Sequence, residues 1–301
     1  MIRVPKGEVH VLHSGLSPVV RIHSGESIEI QTEDANCGLV KDSQSATAEV
    51  LRSIVERSCP LSGPVFVEEA HAGDTLQVQI HDIMPGPYGC AILGPEFSLL
   101  TDWFPENETL VVPIRDGTIH FSKELRLPVS CMIGTIATCP SEEAVFSWKQ
   151  GPFGGNMDCP YIGPGATVYL PVAVEGGLLF VGDCHARQGD GEIGPPFEIP
   201  ATIRLSIDVC SKKSSAVPIA GPRVETASEY ITIVSSRTFE AAAEQAMKEM
   251  VSWISNLSGL SRSRTLFFLA QIADVRAAQI ANTLHTAYCV TPRKYVSASP
   301  L

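Results

Sequence analysis

The chain has 301 residues, 44% of them hydrophobic and 18% charged, with a formal net charge of −11. That is the composition of an ordered globular protein long enough to bury a sizeable core. The acidic balance argues against nucleic acid and against anionic membrane surfaces as partners.

No apolar run approaches the ~20 residues of a membrane-spanning helix. The opening residues, Met1-Ile2-Arg3-Val4-Pro5-Lys6, lack the apolar stretch of a secretory signal. Nine cysteines without a Cys-x-x-Cys spacing fit reduced thiols better than a disulfide framework or a zinc knuckle. A cytoplasmic location is the expectation.

Up to about residue 136 the chain reads as short strands between turn residues. Candidate strands cover 9–12, 19–22 and 28–32. The last alternates apolar and polar residues, as a half-buried strand does, and runs into Glu33, Asp34 and Asn36. A short helix is expected over 47–57, with Leu51, Ile54 and Val55 on its apolar stripe. Val65-Phe66-Val67 ends at Glu68, and after a Gly73-Asp74 turn residues 75–83 alternate with Leu76, Val78 and Ile80 inward. Residues 84–95 are rich in Gly and Pro and read as a loop, a lid or a subunit interface. Asp116-Gly117 between two apolar runs signals a hairpin. Residues 131–137 look fully buried, and 151–160 read as loop.

Further strands are expected over 167–172, 177–181, 201–209, 222–226 and 230–234. The character changes near Thr238. Three amphipathic helices are expected over 239–257, 261–272 and 274–284, the last capped by Asp274. The pattern is mainly β with a helical C-terminal segment, α+β overall. We divide it into an N-terminal β stretch (1–137), a central β stretch (138–236) and C-terminal helices (237–301) of one domain.

Chemistry concentrates in Gly182-Asp183-Cys184-His185-Ala186-Arg187-Gln188-Gly189-Asp190-Gly191-Glu192. An apolar strand ends here in a glycine-bent loop carrying three carboxylates and an imidazole. Such groups are ligands for a hard or borderline divalent metal, and also the acids and bases of hydrolysis. Asp183 and His185 lie two apart, so on extended chain both side chains face one side and reach one metal. Cys184 between them points the other way, and carboxylates nearby would raise its pKa, which disfavours a thiol nucleophile. The isolated histidines read as surface or hydrogen-bonded residues, with His10 or His13 available for recruitment in space.

This run, together with Gly154-Gly155-Asn156-Met157-Asp158, Gly63-Pro64-Val65-Phe66-Val67-Glu68, Ala72-Gly73-Asp74-Thr75-Leu76 and the weaker Asp34-Ala35 and Asp274-Val275-Arg276, resembles the acetamidase/formamidase family of amide hydrolases over nearly the whole chain. The resemblance implies a β-sandwich-like body and hydrolysis of small aliphatic amides such as formamide and acetamide to ammonia and a carboxylate. It raises Asn156 and Asp158, which alone would read as caps of their own loop, and Glu68, otherwise a strand end, to candidate catalytic residues beside Gln188, Asp190 and Glu192. Asp183 and His185 are the expected metal ligands, with Asp34 as the third. Asp190 or Glu192 either completes the set or acts as base.

The cofactor expected is a divalent metal, zinc first and calcium second. The partners expected are a small amide substrate and further copies of the chain, as a homodimer or higher homo-oligomer. Arg187 departs from the family pattern; it either pairs with the acidic loop or selects substrates bearing a negative group. A reading from another class is a non-catalytic, metal-stabilised sandwich that binds ligands.

Overall fold

The computed structural model of the chain describes all residues except 43, 96–99, 101, 142–143, 213–218 and 297–301. Alternation along the sequence becomes two large sheets. A nine-stranded sheet runs in the order Ile2–Val4, Glu26–Thr32, Ala201–Cys210, Thr75–Pro85, Thr167–Pro171, Arg223–Glu225, Glu229–Ser236, His285–Pro292 and Asp274–Gln279. An eleven-stranded sheet has Leu179–His185 near its centre, between Glu198–Ile199 and Met132–Ala137, and Leu61–Val67 also pairs with it.

One apolar core lies between the sheets. Ile28, Val78 and Leu205 of the first pack in the same cluster as Val65, Ile133 and Val181 of the second. This is a sandwich whose strands alternate inward and outward, as in Thr75–Pro85, where Leu76, Val78 and Ile80 are fully buried. The three stretches divided along the sequence interleave: the nine-stranded sheet draws strands from all of them.

Helix α1 (Ala48–Arg57) is capped by Thr47, whose side chain accepts the Val50 N–H. It buries Leu51 and Ile54 against Cys90 and Ile92. Helix α2 (Phe239–Ser258) starts at the Thr238 cap and stops at Gly259, which adopts the left-handed conformation. It packs Ala246, Met250 and Ile254 with Tyr230 and Cys289 of the nine-stranded sheet, and α3 (Arg262–Leu269) follows. None of the helices is long and apolar enough to cross a membrane among the described residues.

Three expectations fail, the first being the loop read over 151–160, which contains the short strand Gly154–Asn156 paired with Met132–Ala137. The helix read over 274–284 is instead the strand Asp274–Gln279 at the edge of the nine-stranded sheet. Asp274 caps nothing; it pairs with Arg276 at 2.9 Å. Residues 84–95 are no lid. They are the end of the Thr75–Pro85 strand and most of a hairpin arm, Tyr88–Leu93, in which Cys90 and Ile92 are buried. The Gly and Pro content marks the turn between the two strands.

Candidate active site

Strand Leu179–His185 is buried along its whole length and carries Asp183 and His185 out of the core. The flanking strand Met132–Ala137 supplies Thr135, whose hydroxyl lies 3.0 Å from Asp183 Oδ2 and 3.0 Å from Asn156 Oδ1. Beyond it, Gly154–Asn156 pairs with the same strand and brings in Asn156 and then Asp158. Ligand atoms of Asp158, Asp183 and His185 all lie within 4.8 Å of one another, and all three residues are buried.

The backbone is bent to achieve this. Asp158 (φ 51°), Asp183 (φ 55°) and Glu192 (φ 46°) all sit in the left-handed region. Such a conformation costs a non-glycine residue about 1–3 kcal/mol and gathers at functional sites. Asp183 and His185 do converge, with Asp183 Oδ1 3.8 Å from His185 Nε2, but a turn of the chain at Asp183 contributes, not strand alternation alone.

The ring of His185 is fixed by Gln188. Gln188 Nε2 donates to the carbonyls of Asp158 (2.7 Å) and Ala278 (3.2 Å), so its Oε1, 2.7 Å from His185 Nδ1, must accept from that nitrogen. The Nδ1 proton is thereby assigned, and Nε2 faces the carboxylates: Asp183 and, at 3.3 Å, Glu198.

Glu198 opens the short strand Glu198–Ile199 that pairs with Leu179–His185. Sequence reasoning missed it. The available signal was an acid between apolar neighbours, Phe197-Glu198-Ile199, just after the Pro195-Pro196 break.

Four carboxyl groups thus share a buried space with one imidazole. Burial raises Glu198 to about 8 and Glu192 to about 7. Burial, then the charges of Glu192 and Asp183, raises Asp158 well above its ordinary range. Burial also opposes ionisation of Asp183, but the bond to His185 outweighs it and holds Asp183 below its usual value. Burial alone would lower His185; Glu198 and Asp183 lift it well above.

One oxygen each of Glu192 and Glu198 has no hydrogen-bond partner among the described residues. With its amide nitrogen turned inward, Asn156 donates to Asp183 Oδ2 at 2.7 Å and Asp158 Oδ1 at 2.9 Å.

The cluster forms the floor of a cleft of about 360 Å³ that Asn36, Cys59, Asn156, Asp183, Glu192 and Glu198 help line. The Cys59 Sγ donates to Asp183 Oδ1 at 3.7 Å, and burial beside carboxylates keeps it a thiol. Cys184 points away into the main core, where burial pushes it up to about 12. The Asn36 side-chain nitrogen is buried at the cleft without a partner among the described residues. A larger depression of about 870 Å³ lies by Glu229 and Arg293 and holds none of these groups.

Other expected residues lie elsewhere. Asp34 is buried but engaged: it accepts the Tyr88 hydroxyl (2.9 Å) and the Gly38 N–H (2.9 Å), and it is not part of the three-residue ligand group. Asp158 is the third member of that group. Glu68 is a surface residue forked onto Arg21 at 2.7 and 3.0 Å. Asp190 accepts from Tyr288 at 2.6 Å on the outer side of the loop and does not line the cleft. Arg187 is exposed and donates to the Pro128 carbonyl, pairing with neither Asp190 nor Glu192. His10 and His13 do not line the cleft.

A β-sandwich here presents buried carboxylates and an oriented imidazole at a cleft, groups suited to hydrolysis. The model of the acetamidase/formamidase family matches residues 6–152 and 149–290. The chain belongs to that family, which places it among the amidohydrolases.

The structure of an acetamidase from Bacillus halodurans is 33% identical, superimposes with a TM-score of 0.92 and covers 100% of both chains. That of a predicted acetamidase/formamidase from Thermoanaerobacter tengcongensis is 29% identical, with a TM-score of 0.90 over 98% of each chain. A formamidase of Methylophilus methylotrophus is 25% identical over 244 residues, 62% of this chain and 60% of its own length, so the match spans less than two thirds of that relative.

Proposed function

We propose that the chain hydrolyses the C–N bond of small aliphatic amides, releasing ammonia and a carboxylate at the cleft floor. The observation that carries the reading is the convergence of Asp158, Asp183 and His185 with two carboxylates, Glu192 and Glu198, that each keep an unpartnered oxygen beside them. A purely structural metal site would use up its ligands, whereas spare carboxylates beside them are what proton transfer needs. This favours catalysis over the non-catalytic ligand-binding alternative.

The donor set fits a divalent ion: acceptors outnumber donors, and His185 Nε2 faces the carboxylates while Nδ1 is held by Gln188. Asp158, Asp183 and His185 would hold it, and an imidazole with two carboxylates suits zinc better than calcium, which prefers six or more oxygens. When bound, such an ion supplies Lewis acidity that polarises an oxygen at the cleft floor.

The chain's own groups do the rest. The Asn36 amide nitrogen is positioned to donate to the substrate carbonyl, which would satisfy an otherwise orphaned donor. Glu198 takes the proton of the attacking water as its oxygen bonds to the carbonyl carbon. The same proton passes to the amide nitrogen as the C–N bond breaks, leaving a carboxylic acid that ionises and an amine that leaves as ammonia. Gln188 orients His185, and Glu192 shares a proton with Asp158.

Elemental analysis and an acetamide assay, before and after dialysis against chelator, test the reading. Activity should vanish with the metal and return on adding zinc. Full activity in protein proven metal-free would overturn the metal assignment.

A further inference from the structure

We infer that the cleft is shaped for neutral primary amides with an apolar acyl chain of about four to six carbons, a ligand size its volume accommodates, rather than for formamide or acetamide. This rests on the amide-hydrolase reading of the same site. The cleft encloses about 360 Å³, within the range of pockets that hold ligands far larger than an amide with a single methyl group. Its two ends differ in chemistry. The floor is the carboxylate–imidazole cluster. The walls are Ile54 and Val55 of α1, Ile92 of the Tyr88–Leu93 strand, Trp148, and the Pro195-Pro196 pair.

These walls are held in place. Ile54 and Ile92 belong to one buried cluster, and the Trp148 ring stacks on Phe146 with centroids 5.7 Å apart. Val55 is 46% exposed, apolar surface at the mouth that an acyl chain would cover. A carboxamide seated against Asn36 and Glu198 directs its acyl chain along this wall.

Charge sets the second half of the specificity. Asp183, Glu192 and Glu198 line the cleft and no Lys or Arg does so among the described residues. An acyl chain ending in a carboxylate would bring its charge against the apolar wall, where no lining Lys or Arg pairs with it among the described residues. Lys149, next to Trp148, holds its Nζ 5.2 Å from the Trp148 ring and does not line the cleft, and Arg187 donates to the Pro128 carbonyl.

The test measures kcat/KM for formamide, acetamide, butanamide and hexanamide on the purified, metal-containing enzyme, with the monoamide of hexanedioic acid as the charged counterpart of hexanamide. Burial of one methylene, about 0.8 kcal/mol, corresponds to about a fourfold gain per carbon. Efficiency should therefore climb from acetamide to hexanamide by about two orders of magnitude, and the charged amide should lose most of that gain. In Trp148→Ala and, independently, in Val55→Asp, a site exposed enough to tolerate a polar side chain, the hexanamide-to-acetamide ratio should fall about tenfold. Turnover of formamide and acetamide with a flat or descending series would overturn the inference and leave the amidase reading standing. Absence of turnover on every amide would remove that reading and the inference with it.

Discussion

His185 has no freedom of tautomer. Gln188 spends both amide hydrogens on backbone carbonyls, so its oxygen can only accept, and the Nδ1 proton follows. A single glutamine thus leaves Nε2 as the working nitrogen. The same logic of satisfied and unsatisfied atoms separates two glutamates. Both oxygens of Glu68 are engaged by Arg21 at the surface, whereas Glu198 is buried beside His185 with one oxygen unpartnered. Glu198→Gln keeps the shape and removes the base, so kcat on acetamide should fall by at least about a hundredfold, the scale for general base loss. Glu68→Ala should leave kcat within about twofold, since an exposed ion pair contributes ~0–1 kcal/mol at most. A larger loss in the second variant than in the first would reverse these assignments.

At the scale of elements, the strand Met132–Ala137 must come close enough to Leu179–His185 for two carboxylates to meet over it. Gly134 makes that possible: a Cβ there would lie 2.7 Å from Asp183 Oδ2 and 2.8 Å from Asp158 Oδ1. Gly134→Ala should force the carboxylates apart, at a cost of about 1–3 kcal/mol in stability and at least about tenfold in metal affinity. Calorimetry of unfolding and of zinc binding checks both.

Asp74, part of a family motif, does a structural task. Its carboxylate accepts the N–H groups of His71 (3.0 Å) and Lys212 (2.9 Å), tying the start of the Thr75–Pro85 strand to the chain after Ala201–Cys210. Burial pushes its pKa up, but these N–H donors prevail and hold it below the ordinary value. A lowered folded pKa means the contribution is present above the unfolded pKa, ~3.9, and is lost as pH falls through the folded value. Asp74→Ala should therefore be less stable than wild type by about 1 kcal/mol at neutral pH, with the difference narrowing in acid. A gap that widens below about pH 4 would contradict this sign.

Elements with a clean period were legible in the sequence. The Thr75–Pro85 alternation, the Asp116-Gly117 hairpin and α2 with its Thr238 and Gly259 caps all appear where local chemistry puts them. Asp274–Gln279 was not legible. Its Arg, Ala and Gln favour helix locally, and only pairing with His285–Pro292, a partner remote from its own local preference, makes it a strand.

Over the whole molecule, two sheets interleave strands from every part of the chain and converge on one floor. The central motif announced Asp183, His185 and Glu192 because they are dense in sequence. Glu198, the adjacent pair Gly134-Thr135 and Asn36 come from separate strands and loops, and only the fold assembles them. Asp34 and Asp190 illustrate the converse: both are acids near strand ends, yet each is claimed by a tyrosine hydroxyl away from the ligand group. The central claim is that this buried cluster hydrolyses amides. Ammonia and acetate release from acetamide, by wild type and by Asp183→Asn with matched melting temperatures, tests it most directly. Wild type should release the two products in equal amounts, and the variant should be slower by about a thousandfold or more, the scale of a lost electrostatic group at a reacting centre. An Asp183→Asn enzyme that keeps wild-type turnover would place the chemistry elsewhere.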